Sequence, residues 1–275
     1  FLTGVTKFSK VSVFSDLNNL NDISMSDEFQ TICGITDKEI HTYFEEPLNQ
    51  LAARYNTSYD EICRRLKENY DGYHFVEHGV DMYNPFSLLN AFRTLKFGSY
   101  WFETGTPTYL VKLLKDNNFC LPDLTEGEIA SKSLNDVESM HDNPVSVIYQ
   151  SGYLTIKDYD ERFENYRLGF PNKEVEEGFM QYLVPSYLPA KDNGSTYFVA
   201  NFVKDVEGGK PEQFMTRMAT MFSDTDYKVV GDAELYFQNA FFIIMRMMGL
   251  YTKVERPTSD SRMDMVIETK DYVYI

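Results

Sequence analysis

Cysteine is scarce in this chain. The three residues, Cys33, Cys63 and Cys120, are odd in number and share no short spacing. Such a set builds neither a disulfide framework nor a zinc ribbon, and it fits a reducing compartment. Long apolar runs are missing as well. The longest, near 240–250, is interrupted by Arg246 and is too short to span a bilayer, so no membrane segment is expected. No basic start, apolar stretch and small-residue cleavage site mark a secretory signal after Phe1, so the expected location is cytoplasmic. Basic residues are outnumbered, 26 Lys and Arg against 42 Asp and Glu, for a net charge of −16. An acidic surface repels phosphate backbones and argues against broad non-specific nucleic-acid binding, while leaving acidic metal sites open. Internal repeats and low-complexity tracts are absent.

Apolar residues make up 43% of the 275 positions and aromatics 15%, with 21 Phe and 20 Tyr. That much sticky surface excludes a disordered chain, and the length admits one to three domains.

Residues 1–15 alternate around Val5, Phe8, Val11, Val13 and Phe14 and predict one or two short strands or a strand and a turn, with Phe1-Leu2-Thr3-Gly4 reading as part of a strand already under way. The capping boxes Thr36-Asp-Lys-Glu39 and Ser58-Tyr-Asp-Glu61 each precede apolar residues at helical spacing and predict a helical hairpin, which Pro47 kinks or splits. Asn84-Pro85, Thr106-Pro107 and Asn143-Pro144 place a capping residue before a proline at the first helical position, predicting helices over 85–96, 107–116 and about 144–149. Gly152–Lys157 and Tyr166–Phe170 flank a polar turn and predict a β-hairpin. A helix follows from Lys173 to Val184, where Pro185 should end it, and further helices are expected at about 198–206 and 211–222. The last fifty residues read helix (Asp232–Met248, closed by Gly249), then strands at Tyr251–Arg256, Met263–Glu268 and Tyr272–Ile275.

Motifs of catalysis are few. His74-Phe-Val-Glu77-His78 matches the H-x-x-E-H signature of one zinc-protease class, whose chemistry needs both histidines on one face of a sustained helix. Here the motif is bounded by Asp71-Gly72 and Gly79, and a helix that short does not hold. It is rejected. No G-x-x-x-x-G-K-[ST] or G-x-G-x-x-G cradles a phosphate, and Ser151-Gly152 lacks a G-x-S-x-G elbow. The cysteines and the groups Met215, Met218, Met221 and Met245, Met247, Met248 are expected in the core. Glu234, at the start of the last helix, and Asp264, at the start of an apolar strand, are carboxylates of the kind a hard divalent cation needs. On spacing alone, both read as ordinary surface acids.

Several stretches carry a resemblance. They are Phe1-Leu-Thr-Gly-Val-Thr-Lys-Phe-Ser-Lys-Val-Ser-Val-Phe-Ser15, Leu17–Ile23, Tyr83-Asn-Pro-Phe-Ser-Leu-Leu89, Tyr100–Pro107, Gln150–Ile156 and Ser261-Arg-Met-Asp-Met-Val-Ile-Glu268. Along its length the chain resembles bacterial and archaeal proteins with an AAA-ATPase-like N-terminal domain and a C-terminal PD-(D/E)XK nuclease-superfamily domain. The resemblance implies a mixed, helix-rich α/β fold in four parts. These are the remnant of a P-loop ATPase sheet (1–35), a helical, lid-like region (36–150), a β-hairpin with a helical connector (151–225), and the start of an αβββ nuclease-like core (226–275). It implies Thr6 and Lys7 near the phosphate end of ATP, Asp264 as metal ligand and catalytic strand aspartate, and Glu234 as the helix glutamate beside it. It also implies that the phosphate loop lies upstream of Phe1 and Glu-x-Lys downstream of Ile275. On that reading the full-length protein uses ATP and Mg²⁺, and this stretch binds neither tightly. Ser261-Arg262 stands where Gly-Arg is usual, which affects the turn more than the chemistry.

Two functions compete. In the first, the parent couples nucleotide binding to Mg²⁺-dependent phosphodiester hydrolysis on DNA or RNA, and this stretch alone is inactive. In the second, the nuclease fold is a degenerate structural module, and the aromatic-rich helical region binds a protein partner.

Overall fold

The computed structural model describes residues 23–102, 108–135, 143–188, 196–223, 233–249, 253–255 and 266–275. The described chain is mixed α/β, mostly helical, with small antiparallel sheets. It divides into two compact units, the first reaching Phe119 and resuming over Asp123–Gly178, the second made of Cys120–Pro122 and Phe179–Ile275. Among the described residues no helix is long and apolar enough to cross a membrane. The expected strands of 1–15 lie outside the described residues.

Among the described residues, the first elements of the first unit are a 3-10 turn, Asp27–Phe29, and the two-residue strand β1 (Ile35–Thr36). Thr36 then caps α1 (Asp37–Tyr43) with the full reciprocal box: its side chain accepts from the Glu39 N–H, and Glu39 Oε2 accepts from the Thr36 N–H at 2.8 Å. The helix breaks at Phe44 and restarts as α2 (Glu45–Tyr55). The break puts Pro47 in a first turn, where its missing N–H leaves no carbonyl unpaired. Ser58 caps α3 (Tyr59–Tyr70) by accepting from Glu61 N–H, but the Glu61 carboxylate pairs with Arg64 instead of closing the box. Asn56, in the left-handed region at φ 50°, turns the chain between α2 and α3. Strand β2 (Met82–Tyr83) pairs antiparallel with β1, and α4 (Pro85–Thr94) follows with Asn84 as its cap. It ends two residues short of the expected 96, at Leu95 with φ 53°. Ile40, Leu48, Leu51, Ile62, Leu66, Leu88 and Phe92 fill the core between these helices. Tyr70 is fully buried there, and its hydroxyl donates to the Gly98 carbonyl at 3.0 Å.

The rest of this unit holds α5 (Thr108–Asp116), the one-turn α6 (Asp123–Glu126), β3 (Glu128–Ala130), α7 (Ser131–Asn135) and α8 (Pro144–Gln150). Strands β4 (Thr155–Asp160) and β5 (Asn165–Gly169) form the expected hairpin. Strand β3, not anticipated in a region read as helical, joins the outer side of β5 in a sheet of order β3-β5-β4. Only Ile129 of its three residues is buried, too little pattern to read from sequence.

The unit boundary falls inside α9 (Lys173–Tyr187). This helix runs through Pro185 instead of stopping at Val184. Pro185 lies on the exposed face of the last turn, while Leu183, Val184 and Tyr187 are buried and hold that turn in place. The second unit continues with α10 (Thr196–Glu207), α11 (Pro211–Ser223) and α12 (Ala233–Gly249). Its last strands, β6 (Lys253–Glu255), β7 (Val266–Glu268) and β8 (Val273–Tyr274), make an antiparallel meander. Phe202, Phe214, Phe242, Ile243 and Met248 are buried in this unit, with the Phe202 and Phe214 rings edge to face at 5.3 Å. Of the methionines expected in the core, Met218, Met221, Met245, Met247 and Met248 are buried, whereas Met215 is exposed. The cysteines also depart from expectation: Cys33 is exposed, and Cys63 and Cys120 are half-buried.

Candidate functional site

Glu234 occupies the first turn of α12 and is solvent-exposed. Asp264, Thr6 and Lys7 lie outside the described residues, so the structure describes one of the four expected site residues. Among the described residues no three His, Cys, Asp or Glu side chains come together as a metal site.

The H-x-x-E-H match is dispersed. Residues 74–78 form an irregular turn, not a helix. His74 Nδ1 meets Asp81 Oδ1 at 3.1 Å, Glu77 accepts from the Tyr166 hydroxyl at 2.9 Å, and His78 Nε2 faces Glu161 at 3.5 Å. Each side chain is committed to a different neighbour, and no common ion can be shared.

Polar groups nonetheless converge beneath this turn. The His74 N–H donates to Thr155 Oγ1 at 2.7 Å, and that hydroxyl donates back to the His74 carbonyl at 2.8 Å, which tethers the turn to β4. Asp71 is only 3% exposed, and its Oδ1 finds no hydrogen-bond partner among the described residues. Burial pushes its carboxyl above the usual aspartate range, against a hydrogen bond from the Gly72 N–H that pulls the other way. Lys157 is exposed over part of its surface, yet its Nζ sits 3.4 Å from the Pro171 carbonyl. The crowding around that ammonium lowers its pKa, opposed by Asp81, Asp71 and Glu176. Beside them the Trp101 N–H donates to Glu174 Oε1 at 2.8 Å. These contacts hold Trp101 and the 71–75 segment in place.

Sequence reading missed what that scaffold encloses. An isolated bridge joins Tyr73 to Met82, with reciprocal hydrogen bonds of 3.1 and 2.9 Å. In extended chain alternate side chains share a face, so Tyr73 and Phe75 lie together, their rings stacked at 6.2 Å, while His74 turns towards Asp81. Between them, the start of α4 and Trp101 lies a cavity of about 420 Å³. Met82, Tyr83, Phe86, Gly152, Cys33 and Gly34 also line it. The aromatic runs Tyr70-Asp-Gly-Tyr-His-Phe75 and Met82-Tyr-Asn-Pro-Phe86 were a visible signal, but nothing in their spacing says that the two runs pair.

No family model matches the chain, and no solved structure matches it. It is 32% identical over 286 residues to a protein of Azotobacter chroococcum mcd 1 named "Uncharacterized protein in vnfD 5'region". The likeness covers 100% of this chain and 52% of that protein, so the chain spans about half the length of the curated relative it matches.

Proposed function

We propose that this chain is part of an AAA-ATPase-like protein with a PD-(D/E)XK nuclease-superfamily domain, and that the full-length protein cleaves nucleic acid with Mg²⁺. The observation that carries the reading is in the second unit, where α12 leads into the antiparallel meander β6-β7-β8 with Glu234 in the opening turn. That order is the αβββ arrangement the resemblance implies, and β7 is the strand that Asp264 precedes.

The chemistry would rest on converging carboxylates. Mg²⁺ keeps several waters and takes one or two carboxylates, which lowers the pKa of a bound water and stabilises charge on the phosphate. Glu234 and Asp264 are the two residues assigned to hold it. The described residues alone do not form such a site, because Glu234 stands without two further ligands near it. Thr6 and Lys7 are assigned to the phosphate end of ATP in the same proposal.

The test uses the full-length protein with plasmid DNA and with single-stranded RNA, in Mg²⁺ and in EDTA. Cleavage of at least one substrate is expected in Mg²⁺, and Asp264→Ala and Glu234→Gln should abolish it. Undiminished cleavage by the Asp264 variant would end the catalytic assignment. Loss with Asp264→Ala but full activity with Glu234→Gln would remove the helix glutamate alone.

A further inference from the structure

The cavity of the first unit offers little to a polar ligand. Its Tyr73 hydroxyl donates to the Gly152 carbonyl at 3.2 Å, and Tyr83 donates to Asp37 Oδ1 at 3.3 Å. Asn84 Oδ1 is taken by the Phe86 and Ser87 N–H groups at 3.0 and 3.3 Å. No charged side chain lines it among the described residues. What remains is mostly ring carbon and sulfur, a surface that rewards a bulky apolar group.

The apolar surface also continues past the mouth. Phe86 and Leu89 lie three residues apart on α4, hence on one face, and are 48% and 46% exposed. Val80 and Ile32, 50% and 59% exposed, lie beside the lining residues Met82 and Cys33 in the chain, and the Val80 N–H donates to Gln30 Oε1 at 3.0 Å. A small molecule enclosed by the cavity would leave this rim uncovered, whereas a peptide segment would cover both. Charge narrows the choice of partner. Asp27 and Glu28 are exposed on the turn that Gln30 fastens to Val80, and exposed Asp81 adjoins Met82. With a net charge of −16, a second copy, a phosphate backbone and an anionic bilayer are all repelled at long range.

We propose that this cavity docks a segment of a partner protein that carries a bulky apolar side chain flanked by lysines or arginines. The assignment is independent of the nuclease reading, since it rests on the first unit alone.

The chain contains a single tryptophan, Trp101, and it lines the cavity, so its emission reports occupancy directly. Exposed Cys33 gives a second readout through its rate of alkylation. The 275-residue chain would be titrated with short synthetic peptides: one Phe flanked by lysines, the same peptide with Ala for Phe, and the Phe peptide flanked by glutamates. Expected is a saturable shift of Trp101 emission and protection of Cys33 by the first peptide only, weakened by salt. Binding should fall about tenfold or more in Phe86→Lys, the loss of one anchor contact with added repulsion. Phe86 is half exposed, so the variant should keep the wild-type circular dichroism. An equal response to the Ala peptide would mean charge alone, and silence towards all three would remove the docking role. Saturation by toluene without any peptide response would make the cavity a small-molecule site. A dimer in sedimentation that Phe86→Lys dissolves would give it to a second copy. Each of these outcomes overturns the proposal.

Discussion

Gly72 is pressed against the backbone of Pro171. A β-carbon built on Gly72 would come within 2.2 Å of the Pro171 carbonyl oxygen, and its φ of +97° is one that side chains rarely adopt. The contact joins the end of α3 to the chain entering α9, so two segments a hundred residues apart share one point of closest approach. Gly72→Ala should therefore destabilise the protein by about 1–3 kcal/mol, from steric clash and backbone strain together. A urea melt with a lowered midpoint and unchanged slope is the expected record, and an unaltered midpoint would contradict the contact.

Buried Asn239 in α12 anchors a distant loop. Its Oδ1 accepts from the Leu121 N–H at 2.7 Å, across a sequence separation of 118. Asn239→Ala leaves that N–H without its acceptor and should cost roughly 1–3 kcal/mol, more than an exposed substitution such as Met215→Ala on α11. Thermal melts of the two variants decide it. Equal midpoints would show that the hydrogen bond carries no stability.

Asp71 predicts a pH dependence of defined sign. Burial raises its pKa in the folded chain above the unfolded value. A raised folded pKa means that its contribution favours folding at low pH and is lost as pH rises through the folded pKa. Asp71→Asn removes the charge, so the variant should gain stability over the wild type as pH increases from the ordinary aspartate range to neutrality. Denaturant midpoints of both proteins across that window test it. A difference that stays flat with pH would show that Asp71 does not titrate against burial.

The two helix caps should not be equal. Thr36 takes part in both directions of its box, whereas Ser58 serves only as acceptor because Glu61 pairs with Arg64. Thr36→Ala and Ser58→Ala should each cost about 1 kcal/mol, with Thr36 the larger loss. Comparison of the two midpoints checks the ranking, and a larger loss at Ser58 would refute it.

Local signals account for what could be read in advance. The caps at Thr36, Ser58, Asn84 and Asn143 act within one helical turn, so residue identity alone locates the starts of α1, α3, α4 and α8. The β4–β5 hairpin and the order helix, strand, strand, strand after residue 232 were legible for the same reason. Signals that depend on distant neighbours were not. Pro185 ends no helix because buried neighbours hold the turn, and β3 exists because β5 offers it an edge. Cys33 was expected in the core because it was read within a helical or strand pattern, but it sits in an exposed turn lining a cavity that no spacing rule describes. Of the expected site residues, Glu234 is at the start of its helix as read, and Asp264, Thr6 and Lys7 fall outside the described residues.

By itself the sequence determined a mixed, mostly helical chain with named helix starts, because capping and periodicity are interactions among residues a few positions apart. Tertiary structure alone decided that Tyr73 meets Met82, that Gly72 meets Pro171, and that the rings of Tyr73, Phe75, Tyr83, Phe86 and Trp101 line one open cavity. Those encounters depend on packing that brings together segments up to a hundred residues apart, and no local preference encodes which segments meet.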